Sequence, residues 1–135
     1  MNFYVASSFH NIKQVRDVSE RLKRKGYIHT YDWTQNSRAS TVEELKKIGE
    51  KEKQAIIDSD VILVLLPGGK GSHVELGIAL GLNKRVILYS PHNELSDFAL
   101  TTTFYHLPEV EVCAGTVEEL VDYVTAGNVL RKAYS

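Results

Sequence analysis

At 135 residues, with sixteen Lys and Arg against seventeen Asp and Glu, the chain has room for one hydrophobic core and not for two. Its 43% hydrophobic and 24% charged residues are a soluble globular composition, and the lack of a basic excess excludes a protein that coats nucleic acid or an anionic membrane. The lone cysteine, Cys113, excludes an internal disulfide and a cysteine-built zinc site, so a reducing cytoplasm is the expected setting. The segment from Met1 to Val5 is unlike a secretion signal. The longest apolar run, Val61 to Leu66, is too short to span a bilayer. A single domain over residues 1–135 is expected, either an enzyme or a small-molecule binder.

In chain order, Phe3 to Ala6 is a short β-prone run, followed by the turn residues Ser7, Ser8 and Asn11. Ile12, Val15, Val18 and Leu22 recur every three or four residues and predict an amphipathic helix from His10 to Lys25. Gly26 suits the position after its basic end. Tyr27 to Tyr31 predicts a second strand, and Asp32 to Ser40 a polar loop. Thr41-Val42-Glu43-Glu44 reads as a capping box, with Ser40-x-x-Glu43 as the alternative register, opening a helix to about Ser59. Val61 to Leu66 is continuously apolar, as expected of a strand buried on both faces of a parallel sheet. Pro67 to Ser72 predicts a glycine-rich loop and His73 to Leu82 a helix. Arg85 to Tyr89 and Val110 to Cys113 predict two more strands, and Thr116-Val117-Glu118-Glu119 caps a last helix through Val124. Residues 91–108 form a connection much longer than the common 4–6 residues, which suggests a lid or a subunit contact.

Strands alternating with helices predict βαβ units and a parallel sheet covered on both faces. In such a sheet, ligands bind beyond the carboxyl ends of the strands. Those ends carry Ser7-Ser8-Phe9-His10, Asp32-Trp33, Pro67 to Ser72 and Ser90-Pro91-His92. Asp32 thereby joins the candidate substrate-binding residues. The loop Pro67-Gly68-Gly69-Lys70-Gly71-Ser72 has neither P-loop nor dinucleotide-binding spacing. It does bring backbone N–H groups to a helix start, which suits an anion.

Glu75 is expected in the first turn of the following helix, where the dipole would keep its carboxylate ionised and near the crevice. Read alone, it serves equally as a helix-start capping residue. Glu52 lies mid-helix and reaches the same crevice if its helix packs beside the third strand. Its neighbours Lys51 and Lys53 suit a solvated face just as well. Asp58 and Asp60 precede a strand at the wrong end for catalysis. The five histidines form no metal-ligand spacing, so neither a metal nor another cofactor is expected.

Phe3-Tyr4-Val5-Ala6-Ser7-Ser8-Phe9 resembles the first strand and loop of the nucleoside 2-deoxyribosyltransferase family. Asp60 to Leu65, followed by Gly71-Ser72-His73-Val74-Glu75-Leu76-Gly77-Ile78-Ala79, is similar to that family's central signature, and Asn83-Lys84-Arg85-Val86-Ile87 to its approach to the next strand. The related 2′-deoxynucleoside 5′-phosphate N-hydrolases share this plan. The resemblance implies a flavodoxin-like, Rossmann-like three-layer α/β sandwich with a five-stranded parallel sheet in the order 2-1-3-4-5.

The same resemblance implies that the chain cleaves or transfers an N-glycosidic bond with retention, through a covalent glycosyl-enzyme. The nucleophile would be Glu75. The acid contacting the leaving base would be Glu52, where the family usually has aspartate. Ser7 and Ser8 would surround the sugar and its 5′ end, with Gly69, Gly71 and Ser72 beside the nucleophile. The family's first-strand tyrosine aligns with Phe3, so Tyr4, one residue on, is expected to point the other way. The arginine of the phosphate hydrolases is replaced by Phe9 or His10, leaving Ser7, Ser8, Lys70 and backbone N–H groups for any phosphate. The implied partner is a small-molecule nucleoside or nucleotide, and the implied assembly is a homo-oligomer. Two other readings stand beside this one: a non-catalytic nucleotide-binding or sensor domain, and an enzyme that cleaves NAD or ribonucleotides.

Overall fold

A computed structural model of the protein describes residues 1–134, with side chains over residues 1–126. Five strands, β1 (Asn2–Ala6), β2 (Ile28–His29), β3 (Val61–Leu65), β4 (Arg85–Tyr89) and β5 (Val110–Cys113), form one sheet. The order is β2-β1-β3-β4-β5 and every pairing is parallel, as expected. Four helices cover it: α1 (Ile12–Arg24), α2 (Val42–Ile57), α3 (Lys70–Gly81) and α4 (Val117–Tyr134). α1 packs beside α4, and α2 beside α3. The result is the three-layer α/β sandwich. Among the described residues, no helix is long and apolar enough to cross a membrane.

The elements form for local reasons that the side chains make visible. All five residues of β3 are buried, since the strand lies at the sheet centre under helices on both faces. α1 buries Val15, Val18 and Leu22 along the predicted stripe, and Gly26 follows it at φ +88°, a left-handed conformation that suits glycine. Thr41 caps α2 by accepting from the Glu44 N–H at 3.1 Å, while the Glu44 carboxylate turns back to the Ser40 N–H at 2.9 Å. Thr116 and Glu119 make the reciprocal box at the start of α4.

Three boundaries in particular differ from expectation. β2 holds only two of the five predicted residues, because it is an edge strand paired with β1 alone. α3 starts at Lys70 and not at His73. The Ser72 hydroxyl accepts from the Gly69 N–H at 2.6 Å and donates back to the Gly69 carbonyl at 2.9 Å. That local bond closes the first turn three residues early, so the glycine loop shortens to Pro67–Gly69. The predicted last helix runs on past Val124, to Tyr134. Residues 91–108 contain a 3-10 turn, Thr103–His106, and a buried Glu94 that accepts from the Ser90 hydroxyl at 2.7 Å.

Candidate active site

Tyr4 stands at the middle of β1, and neighbouring residues of a strand face opposite sides of the sheet. Phe3 stacks on His29, ring centroids 4.6 Å apart. Tyr4 turns to the opposite face, under α2 and α3. There its hydroxyl donates to the Glu75 carboxyl and lies 3.3 Å from Glu52 Oε2. The expectation that Tyr4 points away is therefore corrected: of the two aromatic residues, Tyr4 is the one at the carboxylates. Strand alternation says that Phe3 and Tyr4 face apart, but not which face the helices will make into a site.

Glu52 and Glu75 thus come from neighbouring helices to one hydroxyl, with the two oxygens within about 6 Å of each other. Because α3 begins early, Glu75 sits in its second turn, where the pull of the helix terminus has faded. Burial pushes its carboxyl up to about 8, and the nearby Glu52 charge adds to the rise, while the Tyr4 hydrogen bond opposes it. The expected dipole-held ionisation of Glu75 is replaced by burial-driven proton retention. Burial raises the Glu52 carboxyl too. Tyr4 is raised well above its ordinary value by burial and by the adjoining carboxylates, so it remains a donor. Two close carboxyls that burial disfavours as anions titrate as a pair, so a single charge between them is favoured over two.

Glu52 also borders a cavity of about 540 Å³, a volume suited to a small ligand. Its walls are the rings of Phe9 and Trp33 and the α2 side chains Leu45 and Ile48. Phe9 meets Trp33 edge-on at 5.3 Å, and the Trp33 indole N–H is tied to the Val5 carbonyl at 2.7 Å. Asn36, Ser37 and Arg38 supply further polar groups. None of these cavity residues except Glu52 was among the candidate site residues. Phe9 follows β1, and the others lie in the polar loop before α2 and on that helix, where spacing gives no sign of a shared wall.

The remaining candidates divide. Ser7 donates to the Leu65 carbonyl at 2.7 Å and accepts from Asn11 at 3.1 Å, tying the exit of β1 to the end of β3. Ser8 accepts from the His10 N–H at 3.2 Å and lies against Gly69, where an added Cβ would come 3.9 Å from the Ser8 Cα. Ser72 is occupied by Gly69. Gly71 is an exposed residue in the first turn of α3, with open space around it. Asp32 caps its own turn, accepting from the Thr34 N–H at 3.0 Å and the Thr34 hydroxyl at 2.5 Å. Partial burial opposes its ionisation, but the Thr34 bonds outweigh that and hold the carboxyl below its ordinary range. The structure therefore joins Glu52, Glu75 and Tyr4 directly, sets Ser8 beside Gly69, and leaves Asp32 with a local capping role.

A family model described as nucleoside 2-deoxyribosyltransferase matches residues 3–119. No curated protein matches the chain. Among solved structures, a CMP N-glycosidase, BcmB, from Clostridium botulinum is 16% identical, covering 93% of this chain and 99% of that one, with a TM-score of 0.62. A 2-deoxyribosyltransferase from Bacillus psychrosaccharolyticus is 19% identical over 91% of this chain and 92% of its own, TM-score 0.64. A conserved protein from Enterococcus faecalis V583 is 15% identical over 93% and 97%, TM-score 0.65. At these identities the likeness is one of fold.

Proposed function

The chain belongs to the nucleoside 2-deoxyribosyltransferase family, and from that premise we propose that it cleaves or transfers the N-glycosidic bond of a nucleoside or nucleoside 5′-monophosphate, with Glu75 as nucleophile. The observation that carries this reading is the pair of carboxyls gathered on the Tyr4 hydroxyl beside the cavity. Their spacing supports the short separation of a retaining mechanism over the roughly 6.5–9.5 Å of an inverting one. In the reactive state the proton sits on Glu52 and the single charge on Glu75.

A Glu75 carboxylate oxygen attacks C1′ of the sugar. The C1′–N bond breaks, its electron pair leaves with the base, and Glu52 protonates that base. The product is a glycosyl ester on Glu75. Water, or the nitrogen of a second base, then attacks C1′ and returns the ester oxygen to Glu75 as carboxylate. Glu52 takes up the proton that the attacking group loses. Tyr4 orients Glu75 throughout by its hydrogen bond. Ser8 and the Gly69 backbone, close together beyond β1 and β3, would hold the sugar and its 5′ end, with Ser7 and Ser72 fixing those two loops.

Turnover of a panel of deoxynucleosides and their 5′-monophosphates tests the reaction, and a base acceptor added to the assay separates transferase from hydrolase. Glu75→Ala is expected to lose at least about a thousandfold in kcat while retaining ligand binding. Intact-protein mass spectrometry of a quenched reaction should show a glycosyl adduct on the peptide bearing Glu75. Full activity in Glu75→Ala would overturn the mechanism.

The assembly proposed with it is a homo-oligomer. Val74 on α3, Phe98 and Phe104 are 63%, 93% and 59% exposed. A second, apolar hollow of about 460 Å³ lies between α3 and residues Thr102 to Phe104. A second copy would cover this surface. A monomer in sedimentation at micromolar concentration would refute it. A cytoplasmic setting is proposed on the buried free thiol of Cys113, and cell fractionation checks it.

A further inference from the structure

Away from the Glu52 carboxyl, the polar side chains of this cavity are mostly hydrogen-bond donors. Tyr31 donates its hydroxyl proton to Asn36 Oδ1 at 3.0 Å. That occupies one lone pair of the amide oxygen and leaves the two N–H groups of Nδ2 without a partner among the described residues. Arg38 offers only donors, and its guanidinium makes no hydrogen bond or ion pair with the described residues. The Trp33 indole N–H is already spent on Val5. Apart from the Ser37 hydroxyl, which can act either way, the segment from Asn36 to Arg38 presents donors. The Phe9, Trp33, Leu45 and Ile48 walls are apolar and would stack any flat ring without regard to its edge.

Building on the glycosidic-bond reading above, we propose that this cavity holds the base and selects bases carrying a carbonyl oxygen on the edge remote from the glycosidic nitrogen. Those are 6-oxopurines and 2,4-dioxopyrimidines, taken in preference to 6-aminopurine and 4-aminopyrimidine. A carbonyl accepts from Asn36 Nδ2 and Arg38. An exocyclic amino group at the same place sets donor against donor and strips both of water without return. Glu52, adjoining Tyr4 and Glu75, marks the end of the cavity at which the glycosidic nitrogen lies. Asn36 and Arg38 are then specificity determinants, remote from the bond that breaks.

Matched pairs test this: 2′-deoxyinosine against 2′-deoxyadenosine, and 2′-deoxyuridine against 2′-deoxycytidine, each also as the 5′-monophosphate. The oxo member should exceed its amino partner in kcat/KM by about tenfold or more in each pair. An amino member equal to or better than its partner in either pair overturns the proposal. Asn36→Asp replaces the free donor by an acceptor and should narrow the ratio at least tenfold or invert it, and Arg38→Gln should narrow it. Ratios unchanged in both variants overturn the assignment. A merely structural role for these residues would lower both members of a pair together. If no nucleoside or nucleotide is turned over, the catalytic reading fails by itself. Calorimetric binding of hypoxanthine against adenine to the intact protein still decides the base preference, with tighter hypoxanthine expected and equal affinity refuting it.

Discussion

Tyr4 has one proton and two carboxyl neighbours, and the electrostatics of the site follow from that. Its hydrogen bond is the influence that pulls the Glu75 carboxyl down against burial. Tyr4→Phe removes this influence, so Glu75 should hold its proton to still higher pH. In the proposed mechanism Glu75 attacks as a carboxylate, so the acid limb of kcat/KM should move upward and kcat should fall about 10–100-fold, the worth of one hydrogen bond to a charge. An unchanged pH profile would show that Tyr4 only fills space. Glu75 and Glu52 were legible as residues, the first from its place after the glycine loop and the second from the resemblance. Tyr4 was not, because period-two alternation is blind to which face of a sheet becomes the site. Nor were Asn36 and Arg38, whose meaning comes from Tyr31 and from a cavity that three separate segments enclose.

At the scale of elements, the start of α3 decides the environment of Glu75. Ser72 folds back on Gly69 and begins the helix early. His73 reinforces this, with one ring nitrogen 2.7 Å from the Gly69 carbonyl and the other 2.6 Å from the Tyr105 hydroxyl. The long 91–108 connection is thereby fastened to α3. Gly68 is the position with no room to spare. An added Cβ would lie 2.6 Å from Ser72 Oγ and 3.3 Å from His73 Cε1. Gly68→Ala should displace the Ser72 hydroxyl, leave the Gly69 N–H unpaired and destabilise by about 1–3 kcal/mol in urea unfolding. A variant as stable as wild type would show that Ser72 can turn aside at no cost. Capping boxes and apolar stripes were readable here because they are local. The early start of α3 was not, since a serine closing on a glycine has no periodic signature.

For the whole molecule, the raised carboxyls link stability to pH. Between the ordinary carboxyl value of 4.5 and about 8, the native state keeps a proton on Glu75 that the unfolded chain has released. Stability then falls as pH rises through that window and is fully present below it. Glu52, shifted the same way, adds to the effect. Glu75→Gln keeps the shape without the proton. It should therefore be more stable than wild type at pH 8, by a few kcal/mol, and nearly equal to it at pH 4.5. Denaturation at the two pH values reads this, and parallel pH slopes for the two proteins would refute it. Other carboxyls, such as Asp32, are held low and act in the opposite direction at more acid pH, but the comparison cancels them because both proteins contain them.

The succession of strands and helices and the parallel sheet were determined by the chain's own pattern. Continuous burial, helical periodicity and caps act over a few residues and leave their mark in local spacing. The face of β1 that meets α2 and α3, the raised carboxyls of Glu52 and Glu75, and the cavity beside them were decided only by tertiary structure. Each depends on groups dozens of residues apart meeting where water is excluded, and the cost of burying a charge is set by that meeting and by no residue alone.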